Sequence, residues 1–170
     1  TSTAMGELLL KALANVQKTI IIQFDARNAF GTVSHMLLRQ RIQTSCKPEI
    51  GRYLASELCG RSGFIVEGGK ESDIIFLEDS GVPQGSCNSP ILFSLVMSGY
   101  KEALGNDPNT NVVLYADDVV CIICRPTMKS AMDAAVKVVE TTATWAQERS
   151  LMLSYDKCSY MVLGETISKP

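Results

Sequence analysis

The sequence predicts an α+β fold: a small antiparallel sheet of about four strands with helices packed on one face. Three observations carry that expectation. Strand-like apolar runs come in pairs around tight turns, as hairpins do. These pairs are separated by stretches whose apolar residues recur at helical spacing. Hydrophobic residues make up 46% of the 170 positions and charged residues 20%, enough apolar material for one core and too much for a disordered chain.

The elements follow in order. Residues 5–17, with Met5, Leu8, Leu9, Leu10, Leu13, Ala14 and Val16, fit an amphipathic helix. Thr19–Phe24 is a strand rich in β-branched residues and ends at Asp25. Residues 33–43 and 48–59 read as two helices, the second stopped by Gly60. Phe64–Glu67 and Ile74–Glu78 form a hairpin around Gly68-Gly69. Ser89-Pro90 opens a helix, with a capping hydroxyl and then a proline in the first turn, and Gly105 ends it after about Leu104. Asn111–Tyr115 and Val119–Cys124 flank Ala116-Asp117-Asp118 as a second hairpin. A long helix follows Pro126, with Met128, Ala131, Met132, Ala135, Val139, Thr142 and Ala146 as its apolar stripe. Met152–Ser154 and Tyr160–Leu163 are short strands. No repeat, low-complexity tract or linker interrupts the series.

Composition also bounds function. The longest strongly apolar stretches, Ile20–Ile22, Ile91–Met97 and Val119–Cys124, fall far short of a membrane span, and the start of the chain lacks a signal-peptide pattern. The expectation is therefore an intracellular protein without a membrane partner. Six cysteines without a secretory signal are read as reduced. Cys121-Ile-Ile-Cys124 has redox or zinc spacing, but on a strand residues three apart point to opposite faces, so the pair is read as small buried hydrophobes. A net charge of −2 excludes a uniformly basic nucleic-acid-binding surface, yet it suits a site that grips metal ions through acidic residues.

Three features carry chemistry. The first is Tyr115-Ala-Asp-Asp118 between two apolar strands. Two carboxylates at ~4 Å repel by roughly 4 kcal/mol at an effective dielectric of ~20. A turn chosen for geometry alone favours Asn-Gly or Asp-Gly. An isolated Asp-Asp pair reads as a solvated acidic turn, but the apolar flanks Val112-Val113-Leu114 and Val119-Val120 suggest a turn held against a buried sheet, where a divalent cation would relieve the repulsion. The second feature is Asp25 at the end of its strand. By itself it reads as a turn or helix cap; beside the Asp117-Asp118 hairpin it makes a trio of carboxylates suited to two Mg²⁺ ions. The third is Gly81-Val-Pro-Gln-Gly85, followed by Ser-Cys-Asn-Ser89-Pro90: either a structural turn or a loop that brings backbone and Gln84 close to a flat ligand.

Phe24-Asp25-Ala-Arg-Asn-Ala29-Phe30, Gly81-Val-Pro-Gln-Gly85 with Ser89-Pro90, and Tyr115-Ala-Asp-Asp118 stand in the order of the palm-domain motifs of reverse transcriptases. Trp145 and then Leu151-Met-Leu-Ser-Tyr-Asp-Lys157-Cys158 resemble the later motif in which a lysine follows a short strand. The resemblance spans nearly the whole chain. It is greatest to non-LTR retrotransposon enzymes, with the group II intron type as a near relative. It implies a polymerase palm and RNA-directed DNA synthesis, with an RNA template, a DNA primer and a deoxynucleoside triphosphate (dNTP) as partners. Asp25 and Asp117 would ligate two Mg²⁺ ions, with Mn²⁺ as an alternative. Asp118 would complete the cluster, and the carbonyl of Ala26 would help hold the metal that carries the triphosphate. Phe30 matches the aromatic steric gate against a ribose 2′-OH. Gln84 and Gly85 would lie at the nucleotide and template base, and Lys157 at the pyrophosphate leaving group.

Gly31 and Ser34 stand where many relatives carry aspartates, and Asn88 where leucine is frequent; none of these removes a metal ligand. His35, the only histidine, reads as structural. The whole of 1–170 is expected to be one palm region, with a helix over 1–18 assigned to the fingers side. Most of the fingers and the thumb would be supplied by other parts of the same polyprotein. A retrotransposon origin would imply the nucleus. The rival readings are an RNA-dependent RNA polymerase palm and a non-catalytic nucleic-acid-binding or assembly module.

Overall fold

A computed structural model describes residues 6–7, 18–76 and 79–164 of the chain. The helix expected over 5–17 lies almost wholly outside them, as do Glu78 and the last six residues. The described elements begin with β1 (Lys18–Phe24), β2 (Ala26–Arg27), α1 (Ala29–Thr32), α2 (His35–Ser45) and α3 (Pro48–Ser56). Four two-residue strands follow: β3 (Ser62–Gly63), β4 (Val66–Glu67), β5 (Lys70–Glu71) and β6 (Ile75–Phe76). Then come α4 (Ser89–Met97), α5 (Tyr100–Ala103), β7 (Thr110–Tyr115), β8 (Asp118–Arg125), α6 (Met128–Gln147), β9 (Met152–Leu153) and β10 (Ser159–Leu163). They divide into two compact units. One holds the described residues up to Arg27 and from Gly99 onward; the other is Asn28–Ser98.

The first unit is built on the expected four-stranded antiparallel sheet, in the order β10-β1-β8-β7. β1 alternates by the two-residue period, so Ile20, Ile22 and Phe24 share a face with their partners Ile123, Cys121 and Val119. All six are buried, and α6 packs against both β1 and β8. The helix presents Ala131, Ala135, Val138, Thr142, Trp145 and Ala146. This corrects the expected stripe: Met132 and Val139 are exposed, and Val138 and Trp145 take their places. The rotation is fixed by a buried polar cluster. The Tyr100 hydroxyl lies 2.6 Å from Thr142 Oγ1 and 3.5 Å from Cys121 Sγ, and Thr142 Oγ1 donates to the carbonyl of Val138 at 2.6 Å. Cys121 and Cys124 are free and buried, as small hydrophobes should be.

The second unit packs α2 against α3 and α4. Leu38, Ile42, Leu54, Leu92, Phe93 and Val96 are among its buried residues. Two expectations are corrected here. The hairpin over 64–78 does not form two continuous strands. Val66–Glu67 pairs with Lys70–Glu71 around the two glycines, while Ser62–Gly63 pairs separately with Ile75–Phe76. Between these ladders the Ser72 N–H donates to the Ile65 carbonyl at 2.9 Å, but the Ile65 N–H is accepted by the Ser72 hydroxyl, also at 2.9 Å, so a side chain replaces one of the two ladder bonds. The helix from Ser89 also stops early, at Met97. Ser98 turns extended and Gly99 takes φ 84, a left-handed conformation that breaks the hydrogen-bond ladder before α5 begins.

Candidate active site

The end of β1 sets the position of Asp25. Phe24 pairs with Val119, and Asp25 lies one residue further along. On β8 the residue before Val119 is Asp118, which pairs with Tyr115 to close the β7–β8 turn around Ala116-Asp117. Asp25 therefore leaves the sheet at the same end, and on the strand directly beside the one that begins with Asp118. The turn is strained: Ala116 has φ 51, where a β-carbon costs roughly 1–2 kcal/mol.

Asp25 has an unusual environment. Its side chain is 27% exposed, yet Oδ1 is buried without a hydrogen bond. Among the described residues, the cation beside it is Lys157, with Nζ 3.7 Å from Oδ1. Local backbone brings the two together. β2 pairs with β9, Ala26 opposite Leu153. The N–H of Ser154 then donates to the carbonyl of Asp25 at 2.8 Å. The N–H groups of Lys157 and Cys158 both return to the carbonyl of Ser154, at 2.8 and 3.0 Å, and make the turn that carries the lysine. Ser154 Oγ and Arg27 Nη2 both donate to Asp156 Oδ1 at 3.1 Å. Its own backbone N–H, the Ser154 hydroxyl and the Arg27 guanidinium hold the Asp156 carboxyl below its usual range.

Among the described residues, no three carboxylate, imidazole or thiolate side chains converge in a ready-made metal cage. Asp25, Asp117 and Asp118, all described, therefore do not form such a cage here; three uncompensated carboxylates in contact would repel strongly. The donor set fits Mg²⁺ in kind, being hard oxygen throughout, and Asp25 Oδ1 is an orphaned buried acceptor of the sort a cation satisfies.

The remaining expected site residues belong to the second unit. Phe30 is half-buried and stacks on Phe93, with ring centroids 4.7 Å apart and planes at 19°. Its carbonyl accepts the N–H of Val82 at 2.8 Å, which fixes the start of the glycine-bounded loop. Gly81 is pinned harder. Its N–H donates to Val33 at 2.7 Å, and its carbonyl accepts from His35 Nε2 at 2.7 Å and from Arg61 Nη1 at 2.6 Å. Its φ is 76, and a β-carbon there would lie 2.8 Å from the carbonyl oxygen of Gly31. His35, buried, thus does structural work. Gln84 and Gly85 lie exposed on the loop, and the Ser89 hydroxyl anchors its far side on the carbonyl of Pro83. Asn88 donates to the Tyr53 hydroxyl at 2.9 Å. A β-carbon on Gly31 would meet the Asn28 side-chain amide at 2.5 Å, so a larger residue there requires that side chain to swing aside.

The sequence matches the family described as "Reverse transcriptase (RNA-dependent DNA polymerase)" over residues 3–168. The chain belongs to the reverse transcriptase family. It is 25% identical over 154 residues to the RNA-directed DNA polymerase from mobile element jockey of Drosophila funebris, covering 84% of this chain and 16% of that protein. It is 24% identical over 143 residues to the Pol polyprotein of the type-1 retrotransposable element R2 of Popillia japonica, covering 82% of this chain and 23% of that one. The expected likeness to non-LTR retrotransposon enzymes is borne out, and the chain spans less than a quarter of either relative. Among solved structures it shares its fold with the apo telomerase of Candida tropicalis, with a TM-score of 0.75, 14% identity, and coverage of 99% of this chain and 36% of that one.

For a reverse transcriptase family member, the motif residues were legible in the sequence, but their supports were not. Ser154, Arg27 and Asp156, which fasten the Lys157 turn to Asp25, carry no spacing signal; Ser154-x-Asp156 only hints at a side-chain-braced turn. No helix among the described residues is long and apolar enough to cross a membrane.

Proposed function

We propose that the chain is the palm of an RNA-directed DNA polymerase, which adds a dNTP to a primer 3′-OH on an RNA template. The observation that carries this reading is the buried, hydrogen-bond-free oxygen of Asp25, one step past the sheet register that leads to Asp118, in a chain of the reverse transcriptase family. Asp25, Asp117 and the carbonyl of Ala26 would hold two Mg²⁺ or Mn²⁺ ions, and Asp118 adds negative charge beside them. When bound, the ions lower the pKa of the attacking hydroxyl and neutralise the triphosphate. Phe30 sets its ring, backed by Phe93, against the 2′ position of the sugar and so selects deoxynucleotides. Gln84 and the bare backbone of Gly85 lie along the nucleotide and template base. Lys157 carries a proton to the departing pyrophosphate. The fingers and thumb of a longer polypeptide would complete the grip on template and primer, and the nucleus is the proposed compartment.

Single-turnover addition of one nucleotide at low salt, with protein in excess over an RNA-template/DNA-primer duplex, tests this reading. With the fingers and thumb of the longer polypeptide present, metal-dependent dNTP addition is expected, falling by about a hundredfold or more in Asp117→Asn, whereas residues 1–170 alone should add little or nothing. Preference for ribonucleotides would instead indicate an RNA-dependent RNA polymerase palm. Nucleic-acid binding with no metal-dependent addition would indicate a non-catalytic module.

A further inference from the structure

We infer that Lys157 also serves as the built-in counter-ion of Asp25, which a divalent cation must displace, so that this lysine sets the metal affinity of the site. The inference rests on the metal-centre reading above and goes beyond the leaving-group role given to the same lysine. Oδ1 of Asp25 is buried and accepts no hydrogen bond, and an ionised oxygen in that state is costly unless a cation stands near it. Lys157 Nζ stands 3.7 Å away, too far for a hydrogen bond and close enough for charge compensation. The lysine side chain is 67% exposed, so its ammonium can leave for water at little cost. Its backbone cannot drift with it. The turn stays fastened to the Asp25 carbonyl through Ser154 and to Arg27 through Asp156. Displacement is thus a change of side-chain rotamer on a fixed turn. An ammonium and a divalent cation cannot share one carboxylate oxygen without strong repulsion, so metal binding includes breaking this pair. Lys157 released from Asp25 is then free for its other station.

The test is a titration of the 170-residue chain with Mn²⁺, following free Mn²⁺ by electron paramagnetic resonance, which needs no catalysis. Lys157→Met should tighten Mn²⁺ binding about three- to tenfold, the range expected for losing one partly exposed ion pair and a nearby repulsion. Lys157→Arg, which keeps the charge, should stay within about twofold of wild type. Lys157→Gln gives the same reading as Met if the thioether disturbs the turn. Arg27→Gln removes a neighbouring cation, on β2, and should change little, because Arg27 answers Asp156 rather than Asp25. Unchanged or weaker binding in both neutral Lys157 variants, with Asp117→Asn still weakening it, would overturn the inference and leave the metal centre standing. Equal tightening by Arg27→Gln would also overturn it, since the effect would then be general surface charge. Unchanged binding in Asp117→Asn would overturn the metal-centre reading and this inference together.

Discussion

Phe30 serves packing and, in the proposed mechanism, sugar selection. Its ring is stacked on Phe93, so Phe30→Val should lower stability by about 1–2 kcal/mol, the scale of a half-buried aromatic pair lost with its area. It should also admit ribonucleotides while deoxynucleotide addition suffers less, because no proposed metal ligand is touched. Competition between dCTP and CTP in single-nucleotide addition checks this, and unchanged discrimination leaves Phe30 as packing alone. Gly81 is a sharper case. A β-carbon there would press on the Gly31 carbonyl at 2.8 Å in a left-handed backbone, so Gly81→Ala should cost about 2–3 kcal/mol by urea unfolding. The need for a glycine-bounded path was legible in the sequence. That the Gly31 backbone is what Gly81 touches was not, because no local pattern records a contact fifty residues away.

Within the first unit, the contact between α6 and the sheet is set by the cluster of Tyr100, Thr142 and Cys121. Burial pushes the Cys121 thiol up from 9.0 to about 11, against the Tyr100 hydroxyl's contrary pull. Burial, then the neighbouring Cys121, pushes the Tyr100 phenol well above its ordinary range. In the unfolded chain the thiol loses its proton above pH 9; in the folded chain it keeps the proton until about pH 11. The folded state therefore binds more protons across that window, and stability falls there by up to about 1.4 kcal/mol per pH unit for each such group. Thermal unfolding should show a steep loss above pH 9. Tyr100→Phe should cost about 1 kcal/mol at pH 7, because Thr142 keeps its bond to Val138, and should flatten the alkaline decline. An unchanged slope would deny the cluster its part. The elements themselves were mostly legible: β1, β7 and β8 follow their apolar runs closely. The α6 stripe was misjudged because Met132, Val136 and Val139 offer a second apolar face, and periodicity alone cannot choose between two faces. Packing against β1 and β8, and the Tyr100 bond to Thr142, choose between them, and all come from distant segments.

At the scale of the whole molecule, the sequence gives no linker at Arg27–Asn28 or Ser98–Gly99, so the division into two units was hidden: neither seam is marked by a Pro- or Gly-rich stretch. Charge is more informative. With a net charge of −2, the chain can neutralise few phosphates, and log K falls by about 0.9 per neutralised phosphate per decade of salt. Binding of the 170-residue chain to an RNA–DNA hybrid should be weak with a shallow salt slope, and tight, steeply salt-dependent binding would reveal a basic surface that this account lacks. The proposed metal centre shared by Asp25, Asp117 and Asp118 can be mapped directly. Fe²⁺ in place of Mg²⁺, with ascorbate and peroxide, releases hydroxyl radicals that cut the nearest backbone. Cuts are expected both around Asp25 and around Asp117–Asp118, suppressed together by excess Mg²⁺ and by Asp117→Asn. Cuts at only one of these segments, or Mg²⁺-protected cuts elsewhere in the chain, would contradict it.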